Sequence, residues 1–348
     1  MKKADILGMT LAELSQAVAA EGLRSYRAGQ VFRWLHVFGV SSFDDMTDIP
    51  KSERALLSSK FQIFGCKVEK KQVSEYNNTI KYLFRLSDGN FVESVVMKYR
   101  YGRTICVSTQ IGCKMGCAFC ASTMGGFVRS LAAAEILSQV YAAQKDSGAR
   151  ISRVVLMGMG EPLDNFSAVT RFIELISSPD GQNIGMRNIS LSTCGIVPKI
   201  YELAERKYQL TLSISLHAPN DELRSSIMPI NRRYPIGELL LACREYIRAT
   251  GRRISFEYTM LGGINDSDGC AKELSAVLSG MLCHVNLIPA NEFNESPFRR
   301  SDAARVSRFC EILLKNGINA TVRRSLGSDI GASCGLLRLR GEKEDENA

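Results

Sequence analysis

Apolar positions recur first at helical spacing, then in strict alternation, then in short blocks separated by longer amphipathic runs. Residues 10–60 read as helices. Thr10-Leu11-Ala12-Glu13 has the form of a capping box, and the amphipathic run behind it stops at Gly22. A second run, 30–37, carries the single tryptophan, Trp34, and ends before Gly39; a third covers 44–61. Residues 79–86 and 91–99 alternate as strands do, and the intervening Ser87-Asp88-Gly89-Asn90 signals a hairpin. These segments predict a small N-terminal domain over residues 1–90.

From residue 104 the pattern changes to short apolar strands at 104–108, 153–159, 189–193, 210–216, 254–260 and 284–288. Helical runs at 132–144, 166–177, 198–206, 236–250, 271–278 and 303–316 alternate with them. Alternation of this kind implies right-handed βαβ units and a parallel sheet, in an α/β core expected over 91–325. A barrel, complete or partial, and an open sheet both satisfy it. In each case ligands gather at the C-terminal ends of the strands. Residues 326–348 remain as a glycine-flanked loop and a charged, apolar-poor tail, 341–348, expected to be disordered.

Composition changes this picture little. Hydrophobic residues make up 45% and charged residues 23% of 348, enough to bury a core without crosslinks. No apolar run reaches the roughly 20 residues of a membrane span, and Asp5, Glu13 and Gln16 interrupt any signal-peptide core, so a cytoplasmic, membrane-free protein is expected. In a reducing compartment the 11 cysteines are ligands or catalysts more readily than crosslinks. The net charge of +8 favours a polyanionic partner, and Lys98-Tyr-Arg-Tyr-Gly-Arg103 interleaves cations with stacking rings as RNA-binding segments do.

The strongest chemical signal is Cys113-Lys-Met-Gly-Cys117-Ala-Phe-Cys120, directly after the first strand of the α/β region. A structural zinc site takes four protein ligands. A [4Fe-4S] cubane held by three cysteines keeps one iron open to a small molecule. The spacing and its position resemble the radical S-adenosylmethionine (SAM) superfamily, which implies that the open iron chelates SAM and that reduction yields a 5′-deoxyadenosyl radical. Gly158-Met-Gly160-Glu161-Pro162 ends the second strand, where glycines let a backbone approach a ligand closely. Ser192, Ser215, His217 and Asn291 sit at or beyond other strand ends, and with Gly160, Glu161 and Leu216 they are the candidate SAM pocket.

Cys106-Val-Ser-Thr-Gln-Ile-Gly-Cys113, Met157-Gly-Met-Gly-Glu-Pro-Leu-Asp-Asn165, Ser215-Leu-His-Ala-Pro-Asn-Asp221, Met228-Pro-Ile-Asn231 and Ser328-Asp-Ile-Gly-Ala-Ser-Cys334-Gly335 together resemble the RlmN/Cfr group of RNA methyltransferases. The resemblance runs from about residue 10 to residue 340. It implies a partial (β/α)6 barrel, a first SAM that methylates Cys334, and a second that supplies the radical to activate that methyl. Cys106 then takes the ring proton and forms a transient disulfide with Cys334, and Glu93 handles a proton. The remaining cysteines are expected to be structural.

Glu161-Pro162, Ala218-Pro-Asn-Asp221 and Arg323-Arg324 look like the branch that methylates carbon 2 of adenosine in 23S rRNA and in tRNA 3′ of the anticodon. The alternative is the Cfr-like branch, which methylates carbon 8 and gives ribosomal antibiotic resistance. A flavodoxin-type electron donor and a monomeric state complete the expectation. Two rivals differ in class: a zinc-binding RNA chaperone, and a radical SAM enzyme for a small metabolite.

Overall fold

The structure, a computed structural model, describes residues 3–292, 296–333 and 335–337. Strand β1 (Ala4–Asp5) pairs in parallel with β2 (Phe61–Gln62) and so ties together the ends of a helical unit. That unit contains α1 (Leu11–Ala20), α2 (Tyr26–His36) and α3 (Lys51–Lys60). Thr10 and Glu13 form the expected capping box reciprocally. The third helical run is shorter than the pattern predicts. Pro50 is the N-cap of α3, and proline keeps the residue before it out of helical backbone, so only a 3-10 turn, Phe43–Asp45, precedes it.

Strands β3 (Lys67–Val73), β4 (Ile80–Arg85) and β5 (Phe91–Tyr99) form an antiparallel meander that continues into β6 (Gly102–Cys106). A hairpin of β7 (Gln110–Gly112) and β8 (Phe127–Ser130) follows, enclosing the cysteine loop. Helix α4 (Ala133–Ser147) then leads to β9 (Ile151–Leu156), α5 (Phe166–Ser177), β10 (Ile189–Thr193), α6 (Val197–Glu205) and β11 (Thr211–Ser215). Helices α7 (Asp221–Ile227) and α8 (Ile236–Thr250), β12 (Ile254–Met260), α9 (Asp268–Leu278), β13 (Cys283–Pro289), α10 (Ala303–Lys315) and β14 (Ala320–Val322) complete the described elements.

The main sheet runs β14-β13-β12-β11-β10-β9-β6-β5-β4-β3. From β6 to β14 the strands are parallel and their spatial order never reverses. Right-handed crossovers without a reversal leave the helices on one face, and the sheet curls around the other. Among the described strands nothing pairs β3 with β14. The architecture is therefore the expected partial barrel, with a seventh parallel strand, β14, beyond the six expected.

One hydrophobic core unites the helical unit with the barrel, from Leu14, Phe32 and Leu35 to Ile136, Val154, Leu191, Ile214 and Phe256. Buried His36 joins the two directly, through Nδ1 to the Tyr141 hydroxyl at 2.8 Å. Among the described residues no helix is long and apolar enough to cross a membrane.

Candidate active site

The strand ends of β9 to β13 surround a cavity that encloses about 1140 Å³ with its open mouth, the scale of a small-molecule site. Cys113, Cys117 and Cys120 line it, as do Gly160, Glu161, Ser192, Ser215, His217 and Asn291. Nine predicted site residues, contributed by the cysteine loop and four strand ends, thus converge on one space. Leu216 does not line it: its side chain belongs to the core, and its N–H bonds the Glu257 carbonyl at 3.1 Å.

The cysteine loop is fixed by backbone on both sides. Cys113 N–H donates to the Gly126 carbonyl at 3.0 Å, and Ala118 N–H donates to the Ile227 carbonyl at 2.9 Å. A Cβ on Gly112 would lie 1.8 Å from that Gly126 oxygen, so the hairpin that carries Cys113 needs glycine there. Burial pushes the Cys113 thiol up to about 12 and pushes Cys117 upward as well, and the negative charge of Cys120 adds to both. Thiols whose charged form is this disfavoured gain most from a cationic metal centre. Among the described residues no three His, Cys, Asp or Glu side chains close on a single-ion site. Three soft thiols of one short loop around one cavity are a donor set that fits a three-cysteine iron–sulfur cluster, whereas a structural zinc ion takes four protein ligands.

Glu161 joins two strand-end loops. Its carboxylate accepts from Leu163 N–H at 2.9 Å and from Cys194 N–H at 2.8 Å. Full burial raises its pKa, and the hydrogen bonds from Thr193, Cys194 and Leu163 oppose that. The glycines beside it have a nearer reason than ligand approach. A Cβ on Gly158 would sit 2.6 Å from the Val107 carbonyl oxygen, and one on Gly160 would sit 2.5 Å from Gln110 Cβ. The loop packs against the chain where it leaves β6.

His217 adopts left-handed backbone (φ 58°) and accepts from Thr259 N–H through Nδ1 at 2.9 Å. Burial, aided by nearby Arg224, lowers its pKa to about 3, so the ring is neutral with its proton on Nε2. The ring packs edge-on against Phe119 of the cysteine loop, centroids 4.8 Å apart.

A second chamber adjoins the first, and Met157, Ile288, Asn291, Arg323 and Leu337 line both. Cys106, at the end of β6, lines the second, together with Tyr99, Ala332 and Ser333. Cys334 and the tail beyond residue 337 lie outside the described residues. The described cysteines form no disulfide with one another. Glu93 is buried, lines neither chamber, and pairs with Lys81 Nζ at 2.8 Å. The cationic segment 98–103 forms the β5–β6 turn, where Tyr101 stacks on Tyr99 (5.0 Å, 8° between planes) and Arg153 lies over the Tyr101 ring at 4.2 Å.

Sequence reasoning missed Glu257, a buried carboxylate on the cavity wall held by Asn286 Nδ2 at 2.7 Å and Ser255 Oγ at 3.0 Å. A carboxylate in the middle of the apolar strand 254–260 was the available signal. Arg323 was noted only as one of a pair of cations; it reaches into both chambers, 3.9 Å from Glu257.

The chain matches the Radical SAM superfamily over residues 107–270 and the ribosomal RNA large subunit methyltransferase N-terminal domain over residues 4–63. It is 53% identical over 334 residues to the probable dual-specificity RNA methyltransferase RlmN of Clostridium novyi (strain NT), covering 96% of this chain and 97% of that protein. To the protein of the same description from Desulforamulus reducens it is 50% identical over 343 residues, covering 99% and 98%. A crystal structure of a radical SAM methyltransferase from Sphaerobacter thermophilus superposes with a TM-score of 0.93 at 46% identity, covering 96% of this chain and 99% of that one.

Proposed function

This chain belongs to the RlmN family of radical SAM methyltransferases, and from that premise we propose that it methylates carbon 2 of adenosine in RNA. The proposed substrates are 23S rRNA, in its peptidyl-transferase region, and tRNA, 3′ of the anticodon. A [4Fe-4S] cluster at Cys113, Cys117 and Cys120, with SAM bound, supplies a radical able to take hydrogen from an unactivated carbon. Glu161, Ser192, Ser215, neutral His217 and Asn291 bind and orient SAM in this reading, with Gly160 and Leu216 shaping the loops around them.

The observation that carries the proposal is the pair of contiguous chambers. One holds the three-cysteine rim; the other is lined by Cys106 and by Ala332 and Ser333, which precede Cys334 in the chain. Two neighbouring compartments are what a scheme needs in which Cys334 carries a one-carbon unit from cofactor to base. Cys106 then removes the ring proton and closes a transient disulfide that releases the product. Glu93, buried and paired with Lys81, is assigned to proton handling. Residues 1–90 serve RNA binding, 91–325 form the radical core, and 326–348 carry the catalytic loop and tail. A cytoplasmic monomer served by a flavodoxin-type donor completes the proposal.

Nucleoside mass spectrometry of rRNA and tRNA from a deletion strain and its complemented counterpart tests it. The expected result is 2-methyladenosine lost from both RNAs and restored by the gene. A methyl on carbon 8 instead, or no RNA change at all, refutes it.

A further inference from the structure

A buried ammonium lies between the N-terminal hairpin and the segment leading into Cys334. Lys81, within β4, is only 5% exposed, although lysine in a strand ordinarily turns to water. Lys81 pairs with Val95 and Glu93 pairs with Leu83, which places Lys81 and Glu93 diagonally on one face of the sheet. The ammonium pairs with Glu93 Oε1 at 2.8 Å and donates to the Gly331 carbonyl at 3.2 Å. A buried ion pair is a poor source of stability, because desolvation offsets most of its attraction. What it does supply is direction, since each partner must be met at one place.

The same segment is seated on the hairpin at further points. Asp329 accepts from Ser74 Oγ at 2.9 Å and from Glu75 N–H at 3.1 Å. A Cβ on Gly327 would lie 2.9 Å from Thr79 Cγ2, so the chain passes there at contact distance. On the far side of Cys334, the Gly335 carbonyl accepts from Ala121 N–H at 2.8 Å, one residue after Cys120. Ser122 Oγ donates to the Leu337 carbonyl at 2.5 Å. Asp329 and Gly331 are therefore tied to the hairpin, and Gly335 and Leu337 to the cysteine loop.

We propose that Lys81 is a positioning residue: its single ammonium joins the Glu93 carboxylate to the Gly331 carbonyl and sets where the 328–333 segment delivers Cys334. The proposal rests on the two-cysteine reading above, in which that thiol must meet both the cofactor and the base. Lys81 itself touches neither chamber and exchanges no atoms with substrate.

The test compares the full-length, anaerobically reconstituted protein with Lys81→Met and Lys81→Arg. Hydrogen exchange is read at the Gly331 and Ala332 amides, which donate to the Ser328 and Gly327 carbonyls. Loss of a charge-assisted anchor is expected to speed exchange by about ten- to a hundredfold in the methionine variant, with arginine restoring much of the protection. The second readout is methylated RNA formed per SAM cleaved, expected to fall about tenfold or more with methionine and to recover with arginine. A collapse of the cofactor site would lower both quantities and leave their ratio unmoved. If Lys81→Met does not fold, Lys81→Met/Glu93→Leu removes both buried charges and serves the exchange measurement. Exchange within about twofold of the parent, or an unchanged ratio, overturns the proposal. A parent protein that methylates no RNA removes the proposed function instead, and exchange alone then decides the tether.

Discussion

Replacing Arg224 with methionine tests whether one buried cation holds the rim of the cavity. Arg224 is fully buried on α7. Its Nε donates to the Leu216 carbonyl at 3.1 Å, Nη1 to Asn231 Oδ1 at 2.9 Å, and Nη2 to the Cys194 and Ser215 carbonyls at 2.7 and 3.1 Å. Three of these acceptors, the Leu216, Cys194 and Ser215 carbonyls, belong to the strand-end loops that also present Glu161's partner Cys194, Ser215 and His217 to the cavity, and Asn231 belongs to the 3-10 turn after α7. A guanidinium meets four such acceptors because its donors form a planar fork; an ammonium cannot.

Methionine preserves most of the volume and removes every donor. Each buried acceptor left alone costs about 1–3 kcal/mol, and relaxation of the loops recovers part of the total. A net loss of about 3–5 kcal/mol is the usual cost of breaking a buried charged network. With an unfolding entropy of roughly 0.7 kcal/mol/K at this length, the midpoint falls by about 4–7 °C. Arg224 does not line the cavity, so any loss of SAM affinity reports displaced loops and not a lost contact. Scanning fluorimetry and calorimetric SAM titration measure the two effects, with affinity expected to drop about tenfold and Arg224→Lys to lie between. A midpoint within about 1 °C of the parent, with SAM affinity within about twofold, would refute the reasoning.

Gly158→Ala places a methyl 2.6 Å from the Val107 oxygen and 2.8 Å from Ser108 N, both backbone, and should lower stability by about 1–3 kcal/mol. An unaltered urea midpoint would show that this loop is not pressed against β6. Cys106→Ala should leave RNA bonded to Cys334, since the thiol that breaks that link is gone; recovery of RNA-free variant with an unmodified Cys334 peptide counts against the scheme. His36, whose pKa burial lowers from 6.5 to about 4, is neutral when folded and more readily protonated when unfolded. The stability it contributes is present above pH 6.5 and is lost as pH falls from there towards 4, by at most about 3 kcal/mol. Denaturant melts across that window should slope less in His36→Gln, and equal slopes would discount the burial of His36 as the source.

The parallel strands were legible because each is a short run carrying fully buried apolar residues, Ile189 and Leu191 in β10 and Ile254, Phe256, Tyr258 and Met260 in β12. Strand β3 was not, because its Lys67-Val-Glu-Lys-Lys-Gln-Val73 lies on the sheet edge and is almost wholly exposed, with no buried face to print a pattern. The three cysteines of the 113–120 loop were legible for a different reason. Their geometry is local, fixed within one loop, so spacing alone carries the chemistry. The Gly158 loop shows the limit of such reading: glycine declares that something comes close, and here that partner is the backbone of Val107 and Ser108, contributed by β6 and its exit. Glu257 and Lys81 take their places only through register, when β12 meets β13 and β4 meets β5, and Arg323 takes its place where β14 ends beside β13. A one-residue slip in any of these pairings would turn the same side chain to the other face. No local pattern encodes that choice for a lone charged residue. The apolar neighbours on the strand encode it, and a charge that follows them inward is the mark to look for.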